Sequence, residues 1–217
     1  MSGFKRVKSA KMSLSKRKLI YGYGVNDSHY NVSLKVDGVR LVCPFYKVWT
    51  SMLARVFGSK IKPNKNSETY TDTSVCNEWL SFNAFRLWME SKDWQGKELD
   101  KDILKTGNRV YSPDFCCFVD KEVNMILVSA NKIRGKFKRG VSFHKATGKF
   151  RAKMSLNGKD VELGLFGSEV EAYNCYVDKK FEAIKSIAEK QPLNDVKMAL
   201  IRHAYELYIT KQEVNKV

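Results

Sequence analysis

A short segment near the carboxyl end constrains the fold more than any other feature, because it alternates apolar residues with cations. Phe150, Ala152 and Met154 alternate with Lys149, Arg151, Lys153 and Ser155. Because side chains on a strand point alternately to its two faces, the pattern predicts a strand with one apolar and one cationic face.

Two flanking segments repeat this alternation. Val141 and Phe143 alternate with Ser142 and His144 before it, and a third segment is expected to turn Val161, Leu163 and Leu165 inward and Glu162 outward. The three segments together predict a sheet whose apolar side needs a cover.

A helix that supplies the cover follows directly. Ser168 and Glu171 form a capping-box pattern. After them, residues of one helical face recur at three- and four-residue steps. They are Val170, Ala172, Tyr173, Tyr176, Val177, Lys180, Phe181, Ile184 and Ile187. The fold predicted for this region is a three-stranded antiparallel sheet packed on one helix.

The other sheet side is bare and basic, and a DNA major groove is wide enough to admit strands. The sequence therefore predicts contact with double-stranded DNA. The candidate DNA-contacting residues are Arg139, Ser142, His144, Lys145, Lys149, Arg151, Lys153, Ser155 and Glu162.

The charge of the whole chain agrees with a polyanionic partner. The 217 residues include 39 Lys and Arg against 23 Asp and Glu, a formal charge of +16. No acidic residue lies between Glu122 and Asp160, so cations are concentrated around the predicted sheet.

No apolar run approaches a membrane span, and a cytoplasmic protein without membrane contact is expected. Five cysteines without a CxxC pair favour free thiols.

The carboxyl-terminal segments also resemble a known family. Arg139–Val141, Gly148–Lys153 and Leu163–Tyr173 are similar to the plant ethylene-response-factor (APETALA-type) DNA-binding domain, which also occurs in phage and bacterial HNH homing endonucleases. The resemblance implies that a sheet reads the major groove. Ser142 and His144 stand where that family usually has arginine, and Glu162 stands near its usual tryptophan.

The amino-terminal half predicts a different unit. Residues 1–20 form a basic arm, which could lie along phosphates or be a disordered tail. Alternating residues around Asp37–Gly38 predict a hairpin, and helical spacing predicts aromatic-rich helices over 45–57 and 75–90. We expect an α+β protein with this unit at 21–130 and the sheet-helix domain, with a last helix, at 131–217.

Leu99–Asn124 resembles the HNH nuclease motif, in which a hairpin and a helix hold a divalent metal. This resemblance implies catalytic residues among Asp100, Lys101, Asp102, Asn108 and Asn124. Asp100 or Asp102 would bind Mg²⁺ or Mn²⁺ if the protein is catalytic, and no cofactor is expected otherwise. Because Asp100 and Asp102 alternate along a strand, they are expected to point to opposite faces. Lys101 stands where HNH enzymes have the histidine that activates water, and a lysine accepts a proton less readily near neutral pH.

Three functions remain open from the sequence. The first is a phage-type HNH endonuclease that binds and nicks or cuts duplex DNA in the host bacterial cytoplasm or nucleoid. The second is a non-catalytic DNA-binding regulator built on a degenerate HNH scaffold. The third is a host-directed phage inhibitor whose partner is a host protein.

Overall fold

The computed structural model describes residues 4–9, 16–58, 72–127, 136–156, 158–192 and 194–215. These residues confirm the predicted α+β class. The chain divides into two compact units. The first comprises Met1–Asp102 with Gly107–Phe118, and the second comprises Ile103–Thr106 with Val119–Val217. The domain boundary predicted between residues 130 and 131 lies outside the described residues.

The first unit contains short strands and two aromatic-rich helices. Its strands are β1 (Ser33–Val36), β2 (Val39–Val42), β3 (Ser74–Val75), β4 (Glu98–Asp100) and β5 (Val110–Tyr111). Strand β6 (Cys117–Val119) pairs with β4, and β3 pairs with β5 in parallel. Helix α1 (Pro44–Leu53) continues into a π-helical turn at Ala54–Gly58, and α2 spans Phe82–Glu90.

Helix α2 starts later than the sequence predicted. Val75 lies in β3, and Asn77–Leu80 form a separate 3₁₀ turn before α2. The reason is the cap at Ser81, whose Oγ accepts a hydrogen bond from Ala84 N at 3.1 Å. The Asp27 carboxylate also accepts the N–H of Asn83 at 2.8 Å.

Aromatic side chains form the core of the first unit. Trp49, Trp79, Phe82 and Phe85 are fully buried. Trp49 Nε1 donates to the Trp79 carbonyl at 2.8 Å, so the indole keeps a hydrogen bond inside the core. The aromatic periodicity of this half therefore serves packing.

The second unit contains the predicted sheet and its helices. Strands β7 (Val141–His144), β8 (Lys149–Leu156) and β9 (Lys159–Phe166) form an antiparallel sheet in the order β7-β8-β9. Helix α3 spans Lys121–Leu127, α4 spans Glu169–Glu189 and α5 spans Asn194–Val214. Helix α3 belongs to this second unit.

Helix α4 covers the apolar side of the sheet as predicted. Ser168 accepts a hydrogen bond from the Glu171 N–H, and the Glu171 carboxylate accepts one from the Ser168 N–H, which completes the capping box. Ala152 and Met154 of β8 are buried, whereas Lys149 and Lys153 are exposed. The alternation in β8 therefore does separate an apolar from a cationic face.

Strand β9 contains an irregularity that the sequence analysis missed. Lys153 pairs with Glu162, but Ala152 pairs with Gly164, so Leu163 is an extra residue in β9. Beyond such a bulge the side chains change faces. Leu165 therefore lies opposite Arg151 on the outer face and is 37% exposed, and the prediction that it points inward was wrong.

Candidate nucleic-acid interface

The outer sheet face is the side of β7, β8 and β9 that α4 does not cover. Cross-strand pairing defines its rows as Ser142–Arg151–Leu165, His144–Lys149, Lys153–Glu162 and Ser155–Asp160. The structure thus brings seven of the nine predicted DNA-contacting residues onto one face. Arg139 precedes β7, and Lys145 is exposed in the β7–β8 turn.

Positive charge is not spread evenly over the outer sheet face. At one end, Lys149 is exposed and Arg151 is half-buried, with Arg151 Nε donating to Ser142 Oγ at 3.4 Å. At the other end, Lys153 Nζ forms an ion pair with Asp160 Oδ2 at 2.8 Å, and Glu162 lies opposite the same lysine. The cationic surface is therefore centred on Lys149 and Arg151.

Asp160 is a charged residue of this face that sequence reasoning missed. A signal for it was present in the two-residue sequence Asn157–Gly158, since such a sequence between two strands fixes a tight hairpin and its register. That register places Asp160 directly opposite Ser155. A hairpin prediction here would have put a carboxylate among the cations.

The residues just before β7 are packed tightly against α4. Gly140 adopts a φ of +75°, and a Cβ at this position would meet the Tyr176 ring at 2.1 Å, so only glycine fits. Lys180 lies on the buried face of α4 and is 7% exposed. Burial and, as a smaller contribution, the charge of Arg139 together lower the pKa of Lys180 to about 8. The charge of Arg139 therefore acts on a buried residue of α4, and Arg139 is also one of the candidate DNA-contacting residues.

In the loop between β4 and β5, residues 101–109, the predicted residues bond mainly to one another and to the backbone. Asn108 is buried, and its Nδ2 donates to the carbonyls of Lys101 at 2.7 Å and Val110 at 2.8 Å. Lys101 Nζ donates to Asp102 Oδ1 at 2.5 Å and to the Asn108 carbonyl at 3.2 Å. These bonds fix the shape of the loop between β4 and β5.

Asp100 and Asp102 do not alternate along a strand, because β4 ends at Asp100. The Asp100 carboxylate turns back and accepts the backbone N–H of Asp102 at 2.7 Å. The expectation that the two carboxylates point to opposite faces of a strand was therefore wrong. A turn stabilised by an aspartate takes the place of the extended segment.

Lys101 forms an ion pair with Asp102, and its positive charge opposes the binding of a divalent cation at the same carboxylate. Asn124 lies on α3 in the second unit, where its N–H donates to the Asp120 carbonyl at 3.1 Å. Within the described ranges, no group of three or more His, Cys, Asp and Glu side chains is placed to hold a metal.

The described parts of the basic arm are bound to the first unit. Arg17 donates to the carbonyls of Asn26 and Ser28, each at 2.8 Å, and Arg6 forms an ion pair with Glu90. The backbone of Lys8 forms an isolated antiparallel β-bridge with the backbone of Tyr30. Two of the arm's cations thus have structural partners, while Lys11 lies outside the described residues.

All five cysteines are free thiols, as expected. Cys43, Cys116 and Cys117 are buried, and burial raises the pKa of the Cys116 thiol far above its usual value. This thiol is therefore protonated and unreactive at neutral pH.

Comparison with known proteins gave no relative: no family model, curated protein or solved structure matches the chain. Among the helices of the described residues, none has the length and apolar character needed to cross a membrane.

Proposed function

We propose that the protein binds duplex DNA through the outer sheet face of its second unit. The observation that carries the proposal is the position of Lys149 and Arg151, which project from the same side of β8 next to the exposed Lys145. Residues two apart on a strand are about 7 Å apart, so the two cations can reach separate phosphates.

Electrostatics supports a polyanion as the ligand of this face. The formal charge of +16 attracts DNA at long range, and neutralised phosphates release counterions on binding. Asp160 and Glu162 lie at the opposite end of the face. This polarity favours a contact in which phosphates lie over Lys149 and Arg151.

The proposal does not include strand cleavage, because the bonds of Lys101 and Asn108 account for these residues as supports of the loop. Supercoiled plasmid incubated with the protein and Mg²⁺ or Mn²⁺ is expected to stay intact. Nicking that disappears in an Asp100→Ala, Asp102→Ala variant would contradict this view and establish a nuclease.

A direct binding experiment tests the proposal. Fluorescence anisotropy of a labelled duplex is expected to show binding at about 0.1 M salt and a loss of about tenfold or more in affinity for Lys149→Ala, Arg151→Ala. A control with the same charge, Lys92→Ala, Lys190→Ala, removes exposed lysines from outside the sheet. Equal affinities for the sheet variant and the control would refute the sheet as the contact surface.

A further inference from the structure

The β1–β2 ribbon of the first unit is a second exposed basic element. Its two strands pair antiparallel through the turn at Asp37–Gly38, whose residues both have positive φ. None of the eight strand residues is buried, and Val36 and Val39 are 46% and 61% exposed. An isolated two-stranded ribbon is only marginally stable, so its exposed surface calls for an explanation.

The charges of the ribbon give that explanation. Lys35 and Arg40 lie directly opposite each other, which brings their side chains to about 5 Å at the Cβ atoms. Like charges in this position destabilise a strand pair. In the part of the chain that the structure describes, no carboxylate forms an ion pair with either residue, and Arg40 Nε donates to Ser33 Oγ at 2.8 Å.

Anions bound to the two side chains would remove this repulsion. A partner that carries many closely spaced negative charges can supply one anion to each side chain. Duplex DNA meets this requirement through its phosphates, and its major groove admits a two-stranded ribbon.

We infer that the β1–β2 ribbon is a second DNA-contacting element, in which Lys35 and Arg40 neutralise phosphates. This inference rests on the proposed function, because it assigns the same ligand to a second surface. It implies that each of the two units makes its own contribution to DNA affinity.

The test measures duplex affinity and its salt dependence for the full chain with Lys35→Ala, Arg40→Ala. We expect weaker binding and a salt slope reduced by about 1.8, which corresponds to two phosphates at about 0.9 each. The charge-preserving variant Lys35→Arg, Arg40→Lys is expected to keep the wild-type slope. Far-UV circular dichroism checks that each variant is folded. If the alanine pair is unstable, Lys35→Gln and Arg40→Gln measured singly are each expected to reduce the slope by about 0.9.

Combining the ribbon variant, Lys35→Ala, Arg40→Ala, with the sheet variant, Lys149→Ala, Arg151→Ala, tests the inference separately from the proposed function. If both surfaces bind DNA and share no contacts, the fold-losses of the ribbon and sheet variants should multiply. Wild-type affinity and slope in the ribbon variant, with a loss in the sheet variant, would overturn the inference alone. A loss in the ribbon variant alone would support the inference and overturn the sheet, and no DNA binding by the wild type would overturn both.

Discussion

Replacement of the buried Lys180 by methionine should stabilise the second unit at neutral pH. Methionine has a similar length and fills the same buried space on α4 without a charge to bury. In the wild type, burial and the nearby Arg139 lower the pKa of Lys180 from its usual 10.5 to about 8.

The size and pH range of the effect follow from this pKa. Below pH 8, Lys180 is protonated in the folded and unfolded chain, so the folded state carries the whole cost of the buried ammonium. The difference between 10.5 and about 8 corresponds to about 3 kcal/mol. Between these pH values the folded lysine is neutral while the unfolded one is still charged, so wild-type stability rises with pH.

Chemical denaturation followed by far-UV circular dichroism tests this reasoning, since α4 and α5 contribute 21 helical residues each. At pH 7, Lys180→Met should raise the free energy of unfolding by up to about 3 kcal/mol, and the gain should disappear between pH 8 and 10.5. The adjacent exposed lysine provides the control, and Lys179→Met should leave the unfolding midpoint close to that of the wild type. A destabilised Lys180→Met variant, or a gain that does not depend on pH, would refute the account of this residue.

Three further substitutions test other parts of the structure. Gly140→Ala should destabilise the second unit by more than about 2 kcal/mol, because the added Cβ meets the Tyr176 ring. Gly148 also has a positive φ but faces open space, so Gly148→Ala should destabilise the unit by only about 1 kcal/mol. Similar shifts in melting temperature for the two variants would contradict the predicted clash. Asn108→Asp replaces a donor to two carbonyls with an acceptor and should lower the free energy of unfolding of the first unit by about 2 kcal/mol or more. Tryptophan fluorescence reports on the first unit, and an unchanged unfolding midpoint would show that these bonds do not support the loop. Asp160→Asn removes the ion-pair partner of Lys153, so duplex affinity should increase and the salt slope should steepen by about 0.9. Weaker binding by this variant would contradict the uneven charge distribution assigned to the outer sheet face.

The sheet-helix fold could be predicted because its signals are local in sequence. Alternation in Lys149–Ser155 fixes the two faces of β8, and Ser168 with Glu171 marks the start of α4 within four residues. The bulge at Leu163 could not be read in this way, because it depends on which residue of β8 lies opposite. That one extra residue moved Leu165 to the outer face.

The loop between β4 and β5 shows a different reason for incomplete prediction. The HNH resemblance grouped Lys101, Asp102 and Asn108 in one motif, and the structure brings these three residues together. The resemblance could not show that they would satisfy one another's hydrogen bonds. Likewise, the basic composition of the arm gave no sign that Arg17 would bind backbone carbonyls of the first unit.

The salt dependence of duplex binding tests the central claim most directly. A plot of log K against log salt for the wild type should fall steeply, and Lys149→Ala, Arg151→Ala should reduce the slope by about 1.8, or two phosphate contacts. The Lys92→Ala, Lys190→Ala control should keep the wild-type slope. A sheet variant with the wild-type slope would contradict the assignment of DNA contact to the outer sheet face.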